Sequence, residues 1–231
     1  MALITIHQPN YLSWPGFFHK WLISDAFVIL DTVQYHKNEW QNRNRIKTVN
    51  GVQWLTVPVH FTFPQTIREV SVANAPWGRK QIAAIEQAYA RAPFFADYWP
   101  HIRPLLAADW SLLRDLNVAL IRELGGMIGC RAPLHLASAM GVDSPDPTER
   151  LLLLTRALGG DSYLSGREGR NYLQRERFAE AGIGLLFQQV EAPIYPQLHG
   201  PFVPYLSLLD LLFNVGDRSE SIIRTMGGAE P

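Results

Sequence analysis

Two short, mostly apolar runs near the amino terminus, separated by a compact stretch of mostly apolar and aromatic residues, most narrowly limit what this chain can fold into. Residues 3–6 (Leu-Ile-Thr-Ile) and 26–30 (Ala-Phe-Val-Ile-Leu) are too short for helices and read as buried strands. Residues 16–24 between them have the length of a short crossover helix. Strand, helix, strand opens an α/β unit with a parallel strand pair.

The next segment changes character. Residues 46–49 and 53–57 flank Asn50-Gly51, a strong hairpin signal because both turn residues tolerate positive φ. Residues 68–72 offer a further short antiparallel strand. Helical spacing follows over 77–92, with Ile82, Ile85 and Tyr89 on one face. It returns over 111–127, with Leu113, Leu116, Leu120 and Leu124. Core packing accounts for both stripes.

Strand and helix then alternate again. Asp146-Pro147-Thr148-Glu149 is a helix start: the Asp accepts orphan amide protons, Pro suits the first turn and Glu adds favourable negative charge. This helix ends at Gly159-Gly160. A strand is expected over 162–164, a helix over 171–181, a strand over 183–190 and an apolar helix over 205–214 closed by Gly216. With no internal repeat or linker, the expectation is one α/β domain spanning 1–231. Its sheet is Rossmann-like and mostly parallel, with an inserted antiparallel hairpin region.

Composition narrows the function. The 231 residues carry 21 basic and 21 acidic side chains, and 47% are hydrophobic, so disorder and general nucleic-acid binding are both disfavoured. From Lys37 to Lys47, however, four basic residues face only Glu39, a local excess that suits one small anionic ligand. A lone cysteine, Cys130, excludes an internal disulfide and a multi-thiolate zinc site. The seven histidines show no metal-ligand spacing, so no metal site is expected. The amino terminus lacks an export pattern, and no apolar run approaches the ~20 residues of a membrane span. A cytoplasmic location is the expectation.

Ligands of open parallel sheets gather at the carboxyl ends of strands. The first strand ends in His7-Gln8-Pro9-Asn10-Tyr11, where an imidazole and two amides are able to exchange protons near neutral pH; a structural loop histidine is the alternative. The second ends in Asp31, followed by Gln34, and Asp31 either shares a cleft with His7 or caps a turn. In Asn42-Arg43-Asn44-Arg45, strand alternation puts the arginines on one face and the asparagines on the other. Those arginines suit phosphate or carboxylate, or they protect an edge strand. Tyr163-Leu164-Ser165-Gly166-Arg167 links a strand to a helix, the kind of loop whose amides approach an anion. Ser207, Asp210 and Asn214 share one helical face, for which surface exposure is the commoner cause. None of these segments matches a Walker, Gly-x-Gly-x-x-Gly or nucleophile-elbow spacing.

Taken in order along the chain, the residues resemble the WbqC-like protein family. The resemblance is carried by Ile6-His7-Gln8-Pro9-Asn10-Tyr11-Leu12, Asp25, Asp31, Val33-Gln34-Tyr35, Asn42-Arg43-Asn44-Arg45-Ile46 and Trp54-Leu55-Thr56-Val57-Pro58. It continues through Tyr163-Leu164-Ser165-Gly166, Leu206-Ser207, Asp210-Leu211 and Phe213-Asn214-x-Gly216. Two positions depart from the family pattern: Ser13 stands where Pro usually precedes the Trp, and Thr32 where a second Asp is common.

The resemblance implies a bacterial enzyme of surface polysaccharide (O-antigen, lipopolysaccharide) biosynthesis. Its reaction would transfer a glycyl or related acyl group from an activated donor of unspecified type to the amine of a nucleotide-linked amino sugar. On that reading His7 takes the amine's proton, Arg43 and Arg45 hold the diphosphate, and Asp31, Gln8, Gln34 and Asn42 orient the reactants. Asn10, Tyr11, Asn44, Tyr163, Ser165, Gly166, Ser207, Asp210 and Asn214 complete the substrate-binding set; no cofactor is specified. Two alternatives stand beside it. One is an ATP-dependent nucleotidyltransferase or amide ligase, the other a non-catalytic sugar-nucleotide-binding protein.

Overall fold

The computed structural model describes residues 2–231. In chain order the elements are β1 (Leu3–His7), α1 (Pro15–Leu22), β2 (Ala26–Ile29), β3 (Arg43–Thr48), β4 (Gly51–Thr56), β5 (Val59–His60) and β6 (Ser71–Val72). They continue with α2 (Trp77–Tyr89), α3 (Phe95–Ala107), α4 (Leu113–Met127), β7 (Leu134–Leu136), α5 (Pro147–Ala157) and β8 (Ser162–Ser165). The last are α6 (Arg175–Glu180), β9 (Gly184–Val190), α7 (Leu208–Val215), α8 (Ser219–Arg224) and β10 (Gly227–Glu230).

The main sheet has the order β10-β9-β8-β1-β2-β7 and is parallel except for β10, which runs antiparallel to β9. Counting only the five parallel strands, this is the order 3-2-1-4-5, so the fold is the Rossmann-like mostly parallel α/β sheet expected from the sequence. Crossovers between parallel strands are right-handed, so a chain that moves one way and then the other places its helices on opposite faces. Ile4 and Ile6 of β1 and Ala26 and Val28 of β2 pack under Leu151, Leu154 and Phe178 of α5 and α6. Phe27 and Ile29 face the other way, toward Phe17, Phe18 and Trp21 of α1 and the leucines of α4.

The segment between β2 and β7 holds the inserted antiparallel pairs β3–β4 and β5–β6 and helices α2 to α4. The β3–β4 turn falls one residue earlier than Asn50-Gly51. Gly51, at φ 100°, already pairs with Thr48, whose hydroxyl donates to the Gly51 carbonyl. The expected strand at 68–72 is a 3₁₀ turn (Ile67–Glu69) followed by β6, and the expected helix at 171–181 is a 3₁₀ turn followed by α6. The Asp146 cap accepts from the Glu149 amide at 2.7 Å as predicted. Ser207 caps α7, which begins at Leu208 rather than 205 because Tyr205 is held at φ 58°.

Helix α3 was not legible, since Pro100 and Pro104 interrupt its pattern, nor was β10, which begins Gly-Gly. No helix among the described residues is long and apolar enough to cross a membrane.

Buried Asn117 on α4 donates to the carbonyls of both Pro9 (3.0 Å) and Gln41 (2.7 Å), tying the loop after β1 to the loop before β3. Asn117→Ala strands both carbonyls, each costing roughly 1–3 kcal/mol if water cannot replace the donor. We expect a loss of about 2–4 kcal/mol in urea unfolding with little change in the m-value.

Candidate functional site

The sheet changes direction between β1 and β8, and ligand crevices of open α/β sheets lie at that point, outside the carboxyl ends of the strands. A cavity of about 430 Å³ occupies this position. His7 and Gln8 come from the end of β1, Ser165, Gly166 and Arg167 from the end of β8, and Gln188 from β9. Trp14, Gly16 and Lys20 come from the start and body of α1, and Tyr205 from the loop before α7.

The amino end of α1 is shaped for this role. A β-carbon at Gly16 would lie 2.2 Å from the Trp14 ring, so glycine lets the indole fold over the helix start. Gln188 donates to the Gly16 carbonyl at 2.8 Å and fixes the helix against β9. In the preceding loop Ser13 donates to the Asn10 carbonyl at 3.0 Å.

Lys20 is the feature that sequence reasoning missed. It is 2% exposed, and it has no hydrogen-bond or ion-pair partner among the described residues. Its Nζ would lie 4.0 Å from a β-carbon placed on Gly166, which locates the amine at the turn after β8. Burial pushes its pKa down to about 7. Glu168, the carboxylate on the same lining, is exposed to solvent. The signal in the sequence was one lysine inside a helix that is otherwise apolar and aromatic: seven of its eight residues are buried.

His7 is held neutral beside it. Burial drives its pKa down to about 3, the Lys20 charge adds to the drop, and a hydrogen bond to Gln8 opposes it. Because a carbonyl only accepts, the 2.9 Å contact with the Gln8 carbonyl assigns the proton to Nδ1 and leaves Nε2 with its lone pair. Phe17 packs edge-on against the ring at 4.8 Å. Tyr163 and Ser165 are both buried on the lining, and Gly169 approaches so closely that a β-carbon there would meet the Ser165 hydroxyl.

The remaining residues singled out from sequence lie elsewhere. Asp31 does not line this cavity: it is fully buried, accepts from the Ser138 amide (3.0 Å) and hydroxyl (2.6 Å), and pairs with Arg114 at 3.2 Å. Gln34 forms an isolated bridge with Thr66. Arg43 stacks over Trp54 at 4.4 Å, and Arg45 lies 5.6 and 5.7 Å from Trp40 and Trp54 while donating to the Tyr205 carbonyl. Neither arginine reaches the switch-point cavity.

Asn42 donates to the Val57 carbonyl and lines a separate groove with Tyr35. Asn44 is buried and spends its amide on the carbonyls of Tyr11 and Leu12 and the amide of Arg45, holding Leu12 at φ 43°. Tyr11 is buried and donates to Gln81. The Ser207, Asp210 and Asn214 face is buried rather than solvated. Asp210 accepts from Tyr89 (2.7 Å) and Tyr195 (2.9 Å), burial raises its pKa, and Asn214 donates to its backbone carbonyl.

The order of these motifs along the chain has a counterpart among known proteins: residues 8–222 match the WbqC-like protein family. The chain belongs to the WbqC-like protein family. It is also 35% identical over 229 residues, 97% of this chain and 98% of the relative, to the uncharacterized protein Rv1507c of Mycobacterium tuberculosis (strain ATCC 25618 / H37Rv). The family match thus takes in the cavity from Gln8 through Tyr205, and His7 lies one residue before it.

A buried amine that titrates near 7 in the fold and near 10.5 when unfolded binds fewer protons in the native state across that window. Stability therefore rises with pH between about 7 and 10.5, and the full penalty is present below 7. Lys20→Met removes the penalty. The variant is expected to be more stable at pH 7 by about 1–3 kcal/mol, and a plot of stability against pH from 7 to 10 should be flatter than that of the parent. A destabilised Lys20→Met protein would mean that the amine is solvated or paired.

Proposed function

We propose that the protein is a transferase that forms an amide, moving a glycyl or related acyl group onto the amine of a nucleotide-linked amino sugar in surface polysaccharide synthesis. A cytoplasmic setting follows from that substrate class. The observation that carries the reading is the pair at the switch point: a neutral imidazole with a free Nε2, beside a buried ammonium with no counter-charge. An anionic group of the substrate supplies the missing charge, and a nucleotide diphosphate is an anion of suitable size for the cavity. Lys20, with Arg167 on the same lining, takes the part that Arg43 and Arg45 were expected to play, and Asp31 has no direct part.

In the reaction the sugar amine attacks the acyl carbon of the donor and a new C–N bond forms. The amine proton passes to His7 Nε2, and the bond to the leaving group breaks with its electron pair. His7 then returns the proton to the leaving group. Charge neutralisation couples the two steps. Because the Lys20 charge helps depress His7, an anion bound at Lys20 makes the imidazolium easier to form, so the base strengthens when the substrate arrives.

The sheet order favours a second reading, an ATP-using amide ligase, since the same crevice suits a triphosphate. Pyrophosphate or phosphate release that requires both ATP and the amino acid would select it. Amide formation from a pre-activated donor without ATP would select the first.

With UDP- and dTDP-amino sugars and a panel of activated glycine donors, amide product is expected by mass spectrometry. His7→Ala should lower kcat by roughly 10²–10⁴ while nucleotide-sugar affinity changes less than about threefold, a difference of under ~1 kcal/mol. Because Lys20 must be protonated to meet the anion, kcat/KM should fall as pH rises through about 7. Lys20→Arg, charged at all accessible pH, should remove that limb. Absence of amide with every donor, with and without ATP, would overturn the catalytic reading.

A further inference from the structure

His7 and Gln8 belong to two cavities. Besides the switch-point cavity they line a second, of about 360 Å³, whose other walls are Asn10, His36, Glu39, Trp40 and Gln41. The two spaces differ in chemistry. The first holds Lys20 and Arg167; the second has no lysine or arginine on its lining, one carboxylate, two amides beyond Gln8 and an indole that is 41% exposed.

The walls of the second cavity are tied together. Gln41 donates to the Gln8 side-chain carbonyl at 2.6 Å and accepts from the His36 amide at 3.0 Å. The Tyr11 amide donates to the Trp40 carbonyl at 2.9 Å, and Asn117 bridges the Pro9 and Gln41 carbonyls from below. Trp40 in turn lies 5.6 Å from Trp54, with the Arg45 guanidinium against both rings and bonded to the Tyr205 carbonyl on the first cavity's lining. An indole that is 41% exposed and packed against Trp54 and Arg45 keeps part of its apolar surface open to solvent.

We propose that this second cavity is the sugar subsite, where an amine-bearing pyranose lays its C–H face on Trp40 and hydrogen-bonds through its hydroxyls to Glu39 and the Asn10 and Gln41 side chains. A sugar ring is the ligand class that needs an aromatic face, acceptors for its hydroxyls and no cationic partner. With the ring there and the diphosphate at Lys20, a nucleotide sugar straddles His7, which then faces the amine from the wall between the two cavities. The inference rests on the transferase reading for the amine's fate, but the sugar's position is testable apart from it.

The test uses the full-length protein with two separate probes, glucosamine for the second cavity and UDP for the first, each followed by ligand-observed NMR and calorimetry. Wild type is expected to bind both at once. Trp40→Ala should weaken glucosamine about tenfold or more, equal to ~1.4 kcal/mol, and leave UDP unchanged, while Trp40→Phe should restore most of the loss. Lys20→Met should do the converse. Glucosamine that binds Trp40→Ala as it binds wild type, that competes with UDP, or that does not bind wild type at all would overturn the subsite. Loss of UDP binding in wild type would instead remove the nucleotide part of the transferase reading, and a Trp40-dependent glucosamine signal would still support the sugar subsite.

Discussion

Parallel pairing of β1 with strands from both ends of the chain is the constraint on which the rest of the structure depends. β1 takes β2 on one side, 22 residues on in register, and β8 on the other, more than 150 residues on. Right-handed crossovers then force α1 and α5 to opposite faces and leave a cavity above the β1 and β8 carboxyl ends. Every group of the candidate site stands around that gap. The antiparallel insertion adds no strand to the main sheet; it supplies the second wall, through Trp40 and Gln41, and the asparagine clamps that set the loop after β1.

The gap would be an ordinary surface cleft without the charge placed in it. A buried ammonium without a partner is costly, and a fold retains one where the cost serves a purpose other than stability. Here burial holds His7 neutral, and the same amine adds to the effect. One uncompensated charge therefore reinforces the protonation state of the neighbouring base and, on the proposed reading, makes an anion the favoured occupant. Glu168, the carboxylate on the same lining, is exposed to solvent, and the buried Asp31 and Asp210 are committed to Arg114 and Ser138 and to two tyrosines.

Local rules carried much of the fold to the page. The apolar runs at 3–6 and 26–30, the Asp146 cap and the Asn-Gly turn are all short-range physics, and each appears where its residues demand, within a residue or two. Partnership is long-range and was not legible. Alternation showed that Arg43 and Arg45 share a face of β3, but only the β3–β4 register reveals that the face is occupied by Trp54. Spacing showed that Ser207, Asp210 and Asn214 share a helical face, but not that Tyr89 and Tyr195 arrive to bury it. Lys20 was missed for the opposite reason: the sequence shows a lone lysine in an apolar helix, but not that nothing among the described residues pairs with it.

On the proposed reading, the two cavities also explain why His7, rather than another group at the strand end, is placed to act. A transfer reaction needs its base on the reacting amine while the charged handle of the substrate is gripped at a distance, so that binding energy from the handle positions the amine. His7 ends β1, the central strand of the parallel set, and its orientation is fixed by the hydrogen bond to its own chain at Gln8 and by the edge of Phe17. Gln8 accepts from Gln41, so one of the two residues shared by the cavities also connects the sheet to the insertion. On the proposed reading, specificity for the sugar resides in the antiparallel segment and affinity for the nucleotide in the parallel sheet, with His7 and Gln8 common to both.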